Sequence, residues 1–286
     1  MSAASDLERT ACPFCSREDD VVLFAKDGFR IVRCRACALV YVNPRLTMRA
    51  LTALYDAQAI SPTDYYVRTE REDARSFDAR LRLIERHRPV GSLLDLGCGP
   101  GTFSQVARAR GWRTRGLDLN AASVARCHAL GLDVVCGAFP NPAFAGATFD
   151  AVVMNDFLEH LTDPAGAVAV ARELLAPEGV LFVTTPNIGS TVARLTGRRW
   201  LHLKPNEHIV YFDSGTIRAL LTRAGFRVEY LRSVGRVRNL AVAVDKLALI
   251  GRLPARLARL LMPRVIAERV SFVLNPGDEM AIVARR

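Results

Sequence analysis

The sequence predicts an α/β protein in which helices cover both faces of a mostly parallel sheet, preceded by a small cysteine-rich module. First, strand-like and helix-like patterns alternate from residue 92 to residue 231. Second, the strand-like runs are continuously apolar, which is typical of parallel strands buried on both faces. Third, four cysteines cluster within residues 12–37 as two C-x-x-C pairs.

Composition limits the class of protein. Half of the 286 residues are apolar and 24% are charged, which excludes a disordered chain. The longest run without Asp, Glu, Lys or Arg covers residues 134–149 and is interrupted by Gly and Pro. A bilayer-spanning helix needs about 20 apolar residues, so we expect none. Residues 1–20 lack a secretory signal pattern, and we therefore expect a cytoplasmic protein with reduced thiols.

The cysteine spacing indicates a metal site. Two C-x-x-C pairs separated by 18 residues can bring four thiolates around one tetrahedral Zn²⁺. The predicted ligands are Cys12, Cys15, Cys34 and Cys37. Because four cysteines close the coordination sphere, we expect a structural metal. A redox-active pair is one alternative, and a nucleic-acid finger that uses Arg30, Arg33 and Arg35 is another.

The residues between the cysteine pairs predict a β-hairpin. Residues 21–24 and 29–32 are strand-like, and Lys26-Asp27-Gly28 between them favours a turn. This module, residues 1–45, resembles a zinc ribbon. Many ribbons have Gly after each cysteine pair, where this chain has Ser16 and Ala38.

Residues 46–90 predict a connector followed by a helix. The connector is expected to be a loop that carries Tyr55, Tyr65 and Tyr66. The helix is predicted over residues 70–88, because Phe77, Leu81 and Ile84 share one face at helical spacing. Pro89 ends it.

The rest of the chain, residues 91–286, predicts one α/β domain. Its predicted strands are 93–96, 114–119, 134–136, 151–154, 180–184, 227–231 and 280–283. Its predicted helices are 103–110, 121–130, 165–175 and 214–223.

The first strand of this domain runs into a glycine-rich loop. D-L-G-C-G-P-G, residues 95–101, places three glycines at alternate positions before a helix, where the backbone can lie against a ligand. The dinucleotide fingerprint G-x-G-x-x-G is incomplete, because Thr102 stands at its last glycine. Asp118 ends the next strand and can accept hydrogen bonds from two ribose hydroxyls.

At these residues the chain resembles the class I S-adenosylmethionine-dependent methyltransferases. L-L-D-L-G-C-G-P-G is similar to the opening motif, G-L-D-L-N to the ribose-binding motif, and F-D-A-V-V-M-N-D-F-L-E-H-L to the fourth-strand motif. The crossover L-L-A-P-E-G-V-L-F-V-T-T-P-N is also similar, so the match covers most of residues 92–231. The resemblance implies a Rossmann-like, mostly parallel seven-stranded sheet and S-adenosylmethionine as the cofactor.

The resemblance also implies the cofactor-binding residues. They are Asp95, Gly97, Gly99, Gly101, Asp118, Leu119, Phe139 and Asn155. The glycines would hold the amino-acid part, Asp118 the ribose, and Asn155 the methionyl end. After the third strand, many relatives carry an acid that reaches the adenine amine. This chain has Gly137-Ala138-Phe139 there, so a backbone amide or Phe139 would serve instead.

Histidines are the candidates for moving a proton. Methyl transfer needs alignment and, for a neutral acceptor, removal of a proton by a base near neutral pKa. His160 follows the predicted fourth strand, and His208 follows Glu207 in P-N-E-H-I-V-Y-F. Both places resemble zinc-ribbon methyltransferases that act on nucleotide-linked sugars. The resemblance implies that His160, Glu207 and His208 are catalytic; the alternative is that they position their loops.

The acceptor predicted from these features is a small molecule, methylated on oxygen or carbon, such as a sugar or a secondary or cell-surface metabolite. An RNA methyltransferase is the rival, favoured by the net charge of +10 and the ribbon. Against RNA, the fourth-strand motif has N-D-F-L where amino-group base methylation has N-P-P-Y, and the Pro-Cys and Thr-Cys nucleophiles of pyrimidine-carbon methylation are absent. A third hypothesis is a zinc-stabilised interaction protein with a vestigial cofactor pocket.

An insert is predicted before the last strand, at about residues 235–276, and we expect it to be helical. Its leucines and arginines fall on separate faces over residues 252–261. The insert could form a lid on the domain, contact an anionic membrane surface at the inner membrane, or contact an RNA backbone.

Overall fold

A computed structural model describes residues 6–58, 62–240 and 270–286. The amino-terminal part contains five short strands and two helices. These are β1 (Leu7–Glu8), β2 (Asp20–Lys26), β3 (Phe29–Cys34), β4 (Val40–Val42), β5 (Arg45–Leu46), α1 (Met48–Gln58) and α2 (Pro62–Glu85).

The α/β part begins with alternating strands and helices. These are β6 (Ser92–Leu96), α3 (Thr102–Ala109), β7 (Arg113–Asp118), α4 (Ala121–Ala129), β8 (Asp133–Cys136), β9 (Phe149–Asn155), α5 (Pro164–Glu173) and β10 (Leu175–Pro186). The later elements are α6 (Thr191–Thr196), β11 (Val210–Tyr211), α7 (Ser214–Arg223), β12 (Arg227–Ser233), β13 (Arg236–Asn239), β14 (Ser271–Leu274) and β15 (Glu279–Arg285).

The predicted mostly parallel seven-stranded sheet is confirmed. Its order is β12-β15-β10-β9-β6-β7-β8. The five strands from β10 to β8 pair in parallel, and β15 is antiparallel to both of its neighbours. Carboxyl ends of parallel strands meet at one edge, where ligands of open α/β sheets bind.

The two faces of the sheet explain why its strands are apolar without alternation. Val152 and Met154 of β9 pack into one apolar cluster, together with residues of α5, α7 and the cysteine module. Ala151 and Val153 point to the opposite face, into a cluster formed with α2 and α3. Both faces are therefore buried, as the sequence predicted.

The cysteine module has the predicted hairpin. β2 and β3 pair antiparallel around the turn at Asp27 and Gly28. The four-stranded sheet of this module has the order β11-β4-β3-β2, and its first strand comes from the distant segment Val210–Tyr211. The module and the α/β part thus share a sheet.

The prediction that Tyr55, Tyr65 and Tyr66 lie in a loop is wrong, because α1 and α2 contain these residues. Leu51 of α1 is buried in the apolar cluster shared with the cysteine module, a tertiary contact that the local pattern does not reveal. Pro62 at the first position of α2 suits a helix start. The helix predicted from residue 70 therefore begins earlier than we expected.

The insert predicted at residues 235–276 lies largely outside the described residues, so the prediction that residues 241–269 are helical has no test. At the described ends of the insert the helical prediction is wrong, because β13 and β14 are strands that pair antiparallel, with Arg236 opposite Leu274. Among the described residues, none of the helices is both long and apolar enough to cross a membrane.

Candidate active site

The glycine loop lies at the carboxyl end of β6. Gly97, Gly99 and Gly101 have φ of +72°, +51° and +85°, a region that L side chains rarely adopt. A Cβ on Gly97 would lie 2.5 Å from the Phe157 ring, whereas a Cβ on Gly99 would meet nothing within 4 Å. The loop is therefore tightly packed on the side of Gly97 that faces Phe157, and it is open at the Cβ position of Gly99.

Asp118, at the end of β7, is fixed to this loop by main-chain amides. Its Oδ2 accepts a hydrogen bond from the Gly99 amide at 2.7 Å, and its Oδ1 accepts one from the Asn120 amide at 2.8 Å. Burial raises the pKa of Asp118. The carboxylate is thereby held at the rim of the open space beside Gly99, as a ribose-binding acid requires.

Asp95 is placed differently from Asp118. It is 1% exposed and accepts a hydrogen bond from Ser104 Oγ at 2.8 Å, which ties β6 to α3. Burial, opposed by this hydrogen bond, raises its pKa to about 7, and the nearby charge of Asp118 adds to the shift. Asp95 stabilises the loop from within, and its contact with a cofactor stays a prediction.

The segment after β8 lies next to Asp118. The Gly137 amide donates to the Asp118 carbonyl at 2.9 Å, so this amide is already used. Leu119 also faces the segment, since its carbonyl lies 3.9 Å from Cys136 Sγ. Phe139 is partly buried against the main apolar cluster. A contact of Phe139, or of a backbone amide other than that of Gly137, with the adenine stays a prediction.

Asn155, at the end of β9, faces an arginine that sequence reasoning missed. Arg80 of α2 donates from Nη1 to Asn155 Oδ1 at 2.9 Å and is 2% exposed. Among the described residues, Arg80 Nε and Nη2 and Asn155 Nδ2 are buried without a hydrogen-bond partner. Three nitrogen donors near the Asn155 side chain are thus left without acceptors in the described part of the chain, and nitrogen donors of this kind can bind a carboxylate. A signal was present: Arg80 lies three residues after Phe77 on the predicted apolar face.

Acidic groups balance this arginine. Arg80 Nη1 lies 3.6 Å from Asp156 Oδ2, and its Nη2 lies 3.7 Å from Glu279 Oε2. Arg236 binds both acids, at 2.6 Å to Asp156 and 2.7 Å to Glu279. Although burial opposes the shift, the two arginines lower the pKa of Asp156. A network of four charges, two buried and two half-buried, thus joins α2, the residue after β9, β13 and β15.

The structure brings the two predicted catalytic histidines together. The ring centroids of His160 and His208 are 4.8 Å apart, with the rings nearly perpendicular. His160 Nδ1 lies 3.0 Å from the main-chain oxygen of Glu207. His208 is 7% exposed, and among the described residues its Nδ1 has no hydrogen-bond partner. Burial lowers the pKa of both rings, and His160 and His202 lower that of His208 further.

Glu207 takes part through its main chain. Its carbonyl contacts His160, while its carboxylate lies 3.4 Å from Lys204 Nζ. A catalytic role for the Glu207 carboxylate stays a prediction.

Glu159 is the buried acid of the site. It is 2% exposed, and neither carboxylate oxygen has a hydrogen-bond partner among the described residues. Burial and the charge of Asp156 raise its pKa well above the usual range, so we expect a neutral carboxylic acid. One ligand atom each of Glu159, His160 and His208 lie within 4.8 Å of one another, a set that could also hold a metal.

The four predicted metal ligands also converge. Their sulfur atoms lie within 4.8 Å of one another, with 3.5 Å between Cys12 and Cys37 and between Cys15 and Cys34. Tetrahedral Zn–S bonds of about 2.3 Å place sulfurs about 3.8 Å apart, so the arrangement fits Zn²⁺ and is too wide for disulfides. Burial raises the pKa of Cys12 to about 11, and a cation would offset the cost of ionising the four thiols.

The turns at these cysteines explain the usual glycine preference of ribbons. Ser16 and Ala38 have φ of +60° and +62°. Their amides donate to the carbonyls of Cys12 and Cys34 at 2.9 and 3.0 Å. The chain adopts the glycine-like turn without glycine, at the cost of some backbone strain.

Comparisons with known proteins identify the family of the α/β part. Residues 66–231 match the family model described as "Methyltransferase domain". A ubiquinone biosynthesis O-methyltransferase of Stutzerimonas stutzeri is 33% identical over 117 residues, which cover 38% of this chain and 50% of the relative. One of Xylella fastidiosa is 36% identical over 165 residues, covering 52% and 67%. The chain spans about half the length of the first curated relatives it matches.

Solved structures share the fold. A SAM-dependent methyltransferase from Archaeoglobus fulgidus has a TM-score of 0.53 at 19% identity, covering 78% of this chain and all of the other. A second, from Thermotoga maritima, has a TM-score of 0.54 at 16% identity, covering 82% and 98%. The family match spans more than half of the chain and includes the glycine loop and Asp118. The chain therefore belongs to the methyltransferase domain family, and it shares its fold with solved S-adenosylmethionine-dependent methyltransferases.

Proposed function

We propose that the chain methylates a hydroxyl oxygen of a small molecule, and that His160 and His208 handle the proton. The observation that carries this proposal is the pair of imidazole rings, that of His208 buried and that of His160 half-buried, with centroids 4.8 Å apart near the carboxyl end of β9. The names of the matched relatives, O-methyltransferases of ubiquinone biosynthesis, favour oxygen over carbon as the accepting atom.

The cofactor, when bound, supplies an electrophilic methyl group on a sulfonium. The chain has to align the acceptor hydroxyl and take its proton. The carbonyl of Glu207 can only accept a hydrogen bond, so the neutral His160 ring carries its hydrogen on Nδ1 and its lone pair on Nε2. Because burial lowers the pKa of His160, the ring is neutral near pH 7 and can accept the proton.

The second ring limits the pair to one proton. Two imidazolium rings with centroids 4.8 Å apart would repel each other. Glu159, as a neutral acid, adds no negative charge that would raise the pKa of either ring. The site is therefore suited to take up one proton during transfer and release it with the product.

The cofactor would be held by the loop and the groups around it. The open side of Gly99 and the fixed carboxylate of Asp118 suit the amino-acid and ribose parts. The N–H groups of Arg80 and Asn155 suit the methionyl carboxylate.

We also propose that the four cysteines hold one structural Zn²⁺. The convergence of their sulfurs and the closed set of four ligands support this. Metal analysis of the purified protein should find one Zn²⁺ per chain, and Cys34→Ser should lose it. Cys136→Ser, which changes an exposed cysteine outside the cluster, should retain it; metal retained in Cys34→Ser would contradict the assignment.

The function is tested by following a labelled methyl group. The protein is incubated with methyl-labelled S-adenosylmethionine and two separate pools, a protein-free metabolite extract and cellular RNA. Label in the metabolite pool is expected. Label in RNA, falling steeply as salt rises, would replace the proposal with RNA methylation through the basic surface and ribbon; label in neither pool would contradict it.

A further inference from the structure

The ribbon, residues 6–45, holds both ends of the segment that carries His208, here called the His208 segment (residues 203–211). At its start, Lys26 Nζ of β2 donates to the Leu203 carbonyl at 2.5 Å. At its end, β11 pairs with β4, with Val210 opposite Tyr41. The segment between these points is a turn in which the Glu207 and His208 amides donate to the Lys204 carbonyl.

One residue connects the ribbon to the other histidine. The Ile209 carbonyl accepts from the Val42 amide of β4 at 2.9 Å, and the Ile209 amide donates to the Glu159 carbonyl at 2.9 Å. Glu159 precedes His160, whose ring lies 3.0 Å from the Glu207 carbonyl. The positions of both rings thus depend on backbone that the ribbon fixes.

Apolar packing strengthens this connection. One cluster contains Ile31, Val40 and Val42 from the ribbon together with Trp200, Leu203 and Tyr211 from around the His208 segment. All six are buried. A shift of the ribbon strands would therefore move the segment, because packed cores do not deform continuously.

The glycine loop is fastened elsewhere. The Gly97 and Cys98 amides donate to the Leu117 carbonyl of β7, and the Gly99 amide donates to Asp118. These partners lie inside the α/β part, next to the loop.

We infer that the ribbon is the positioning element of the acceptor side of the site, and that Lys26 is a positioning residue for His160 and His208. An ordered four-cysteine site keeps β3 and β4 in place, and these strands keep the His208 segment in place. Removing the metal or the Lys26 ammonium therefore lowers turnover and leaves cofactor affinity unchanged. The effect on turnover rests on the proposed function of the histidines; the effect on the segment does not.

The experiment compares Lys26→Met, zinc-depleted protein and a matched control, Arg9→Met. Arg9 is an exposed cation of the same ribbon. Three quantities are measured: hydrogen exchange of residues 203–211 and 97–101, the dissociation constant for S-adenosylmethionine by calorimetry, and kcat with the acceptor identified by label transfer.

We expect Lys26→Met to speed exchange in residues 203–211 but not in 97–101, and to lower kcat by about tenfold, since small misplacements of reacting groups cost that much or more. The dissociation constant should stay within about twofold, which is less than 0.5 kcal/mol. Zinc depletion should give a larger effect of the same kind, reversed by Zn²⁺, and Arg9→Met should give none.

Unchanged exchange in residues 203–211 for both Lys26→Met and zinc-depleted protein would overturn the inference. So would cofactor affinity that falls in step with the loss of protection, since the ribbon would then support the whole domain. Faster exchange with unchanged kcat would uphold the positioning role and instead contradict the proposed role of the histidines.

Discussion

The cofactor side and the acceptor side of the site are built in different ways. The glycine-loop part of the cofactor side, residues 95–120, is one β-loop-helix-β unit plus the turn after it, and its polar groups bind each other: Asp118 accepts two amides and Asp95 accepts Ser104 Oγ. The acceptor side joins residues that are far apart in the chain, such as His160 and His208. Buried atoms there, including both Glu159 oxygens and His208 Nδ1, have no hydrogen-bond partner among the described residues.

The difference separates two kinds of recognition. A loop whose backbone is already fixed can bind the part of a ligand that never changes, here the cofactor. Buried polar groups without partners are costly unless a ligand satisfies them, so the acceptor side has the features of a site completed by its substrate. Substitutions on the two sides should then change different measured quantities.

The largest expected effect is on the acceptor side. His160→Gln removes the base and should lower kcat by about 10²- to 10⁴-fold, the range for loss of general base catalysis, with cofactor affinity retained. His128→Gln, on α4 with its ring against the Val134 carbonyl, is the control and should keep full activity. Steady-state kinetics and calorimetry measure both quantities; full activity in His160→Gln would remove this ring from the mechanism.

The next effect belongs to the cofactor side. Asp118→Ala removes the acceptor of two amides and the predicted ribose contact, and should weaken S-adenosylmethionine binding by about 10- to 100-fold. Asp133→Ala, a change of an exposed acid paired with Arg115, should leave binding unchanged. Calorimetry measures the dissociation constant for S-adenosylmethionine in both variants. Equal dissociation constants would show that the cofactor does not contact Asp118.

Comparing Gly99→Ala with Gly131→Ala distinguishes the cost of backbone strain from the loss of contact with the cofactor. Gly99 and Gly131 both have positive φ, +51° and +68°, with nothing within 4 Å of a built Cβ. Replacing either with Ala should cost about 1 kcal/mol of unfolding free energy. Only Gly99→Ala should weaken cofactor binding, on the order of tenfold, because its methyl group enters the cofactor space. Equal binding by both variants would show that the open side of Gly99 does not face the cofactor.

The smallest effect is on pH dependence. Burial lowers the pKa of His160 and His208 below 6.5, so the base form persists at neutral pH. At saturating cofactor, kcat should be flat above pH 6.5 and should fall as acid protonates the rings below it. The pKa of Asp95 is raised to about 7, so its titration could change cofactor affinity in this pH range. Saturating cofactor prevents such a change from affecting the measured kcat. A kcat that is already falling at pH 7.5, relative to alkaline pH, would contradict the lowered pKa.

The lowered pKa of His160 and His208 also makes the unfolding free energy fall as the pH is lowered. The unfolded state binds protons to these histidines below about pH 6.5, and the folded state does so only at lower pH. Their contribution to the unfolding free energy is therefore constant above that pH and declines below it. Denaturant titrations of wild type and His208→Gln, compared between pH 5.5 and 7.5, isolate the contribution of this ring.

Much of the cofactor side could be predicted from sequence because its determinants are local. The glycines of residues 97–101 and Asp118 are close in the sequence. The loop needs glycine because its backbone has positive φ, and Asp118 is recognised because it ends a strand. The four cysteines were found for the same reason, since the two C-x-x-C pairs specify two turns and a hairpin.

The acceptor side was predicted only in part. The histidines were found because each follows a motif, but their proximity depends on the pairing of β11 with β4, which no local pattern encodes. On the cofactor side, Arg80 was missed because its position on an apolar helix face does not reveal its partners Asn155 and Asp156. The helix α1 was missed because tertiary burial of Leu51 outweighs a weak local pattern.

The most direct test of the central claim is the atom that receives the methyl group. The product formed with S-adenosylmethionine labelled with ¹³C in its methyl group is isolated from the metabolite pool, and its carbon spectrum is recorded for wild type and for His160→Gln. We predict a methoxyl carbon in the wild-type product and a strongly reduced amount of that product with His160→Gln. A methyl group on carbon, or an undiminished yield with the variant, would contradict a histidine-assisted O-methyltransferase.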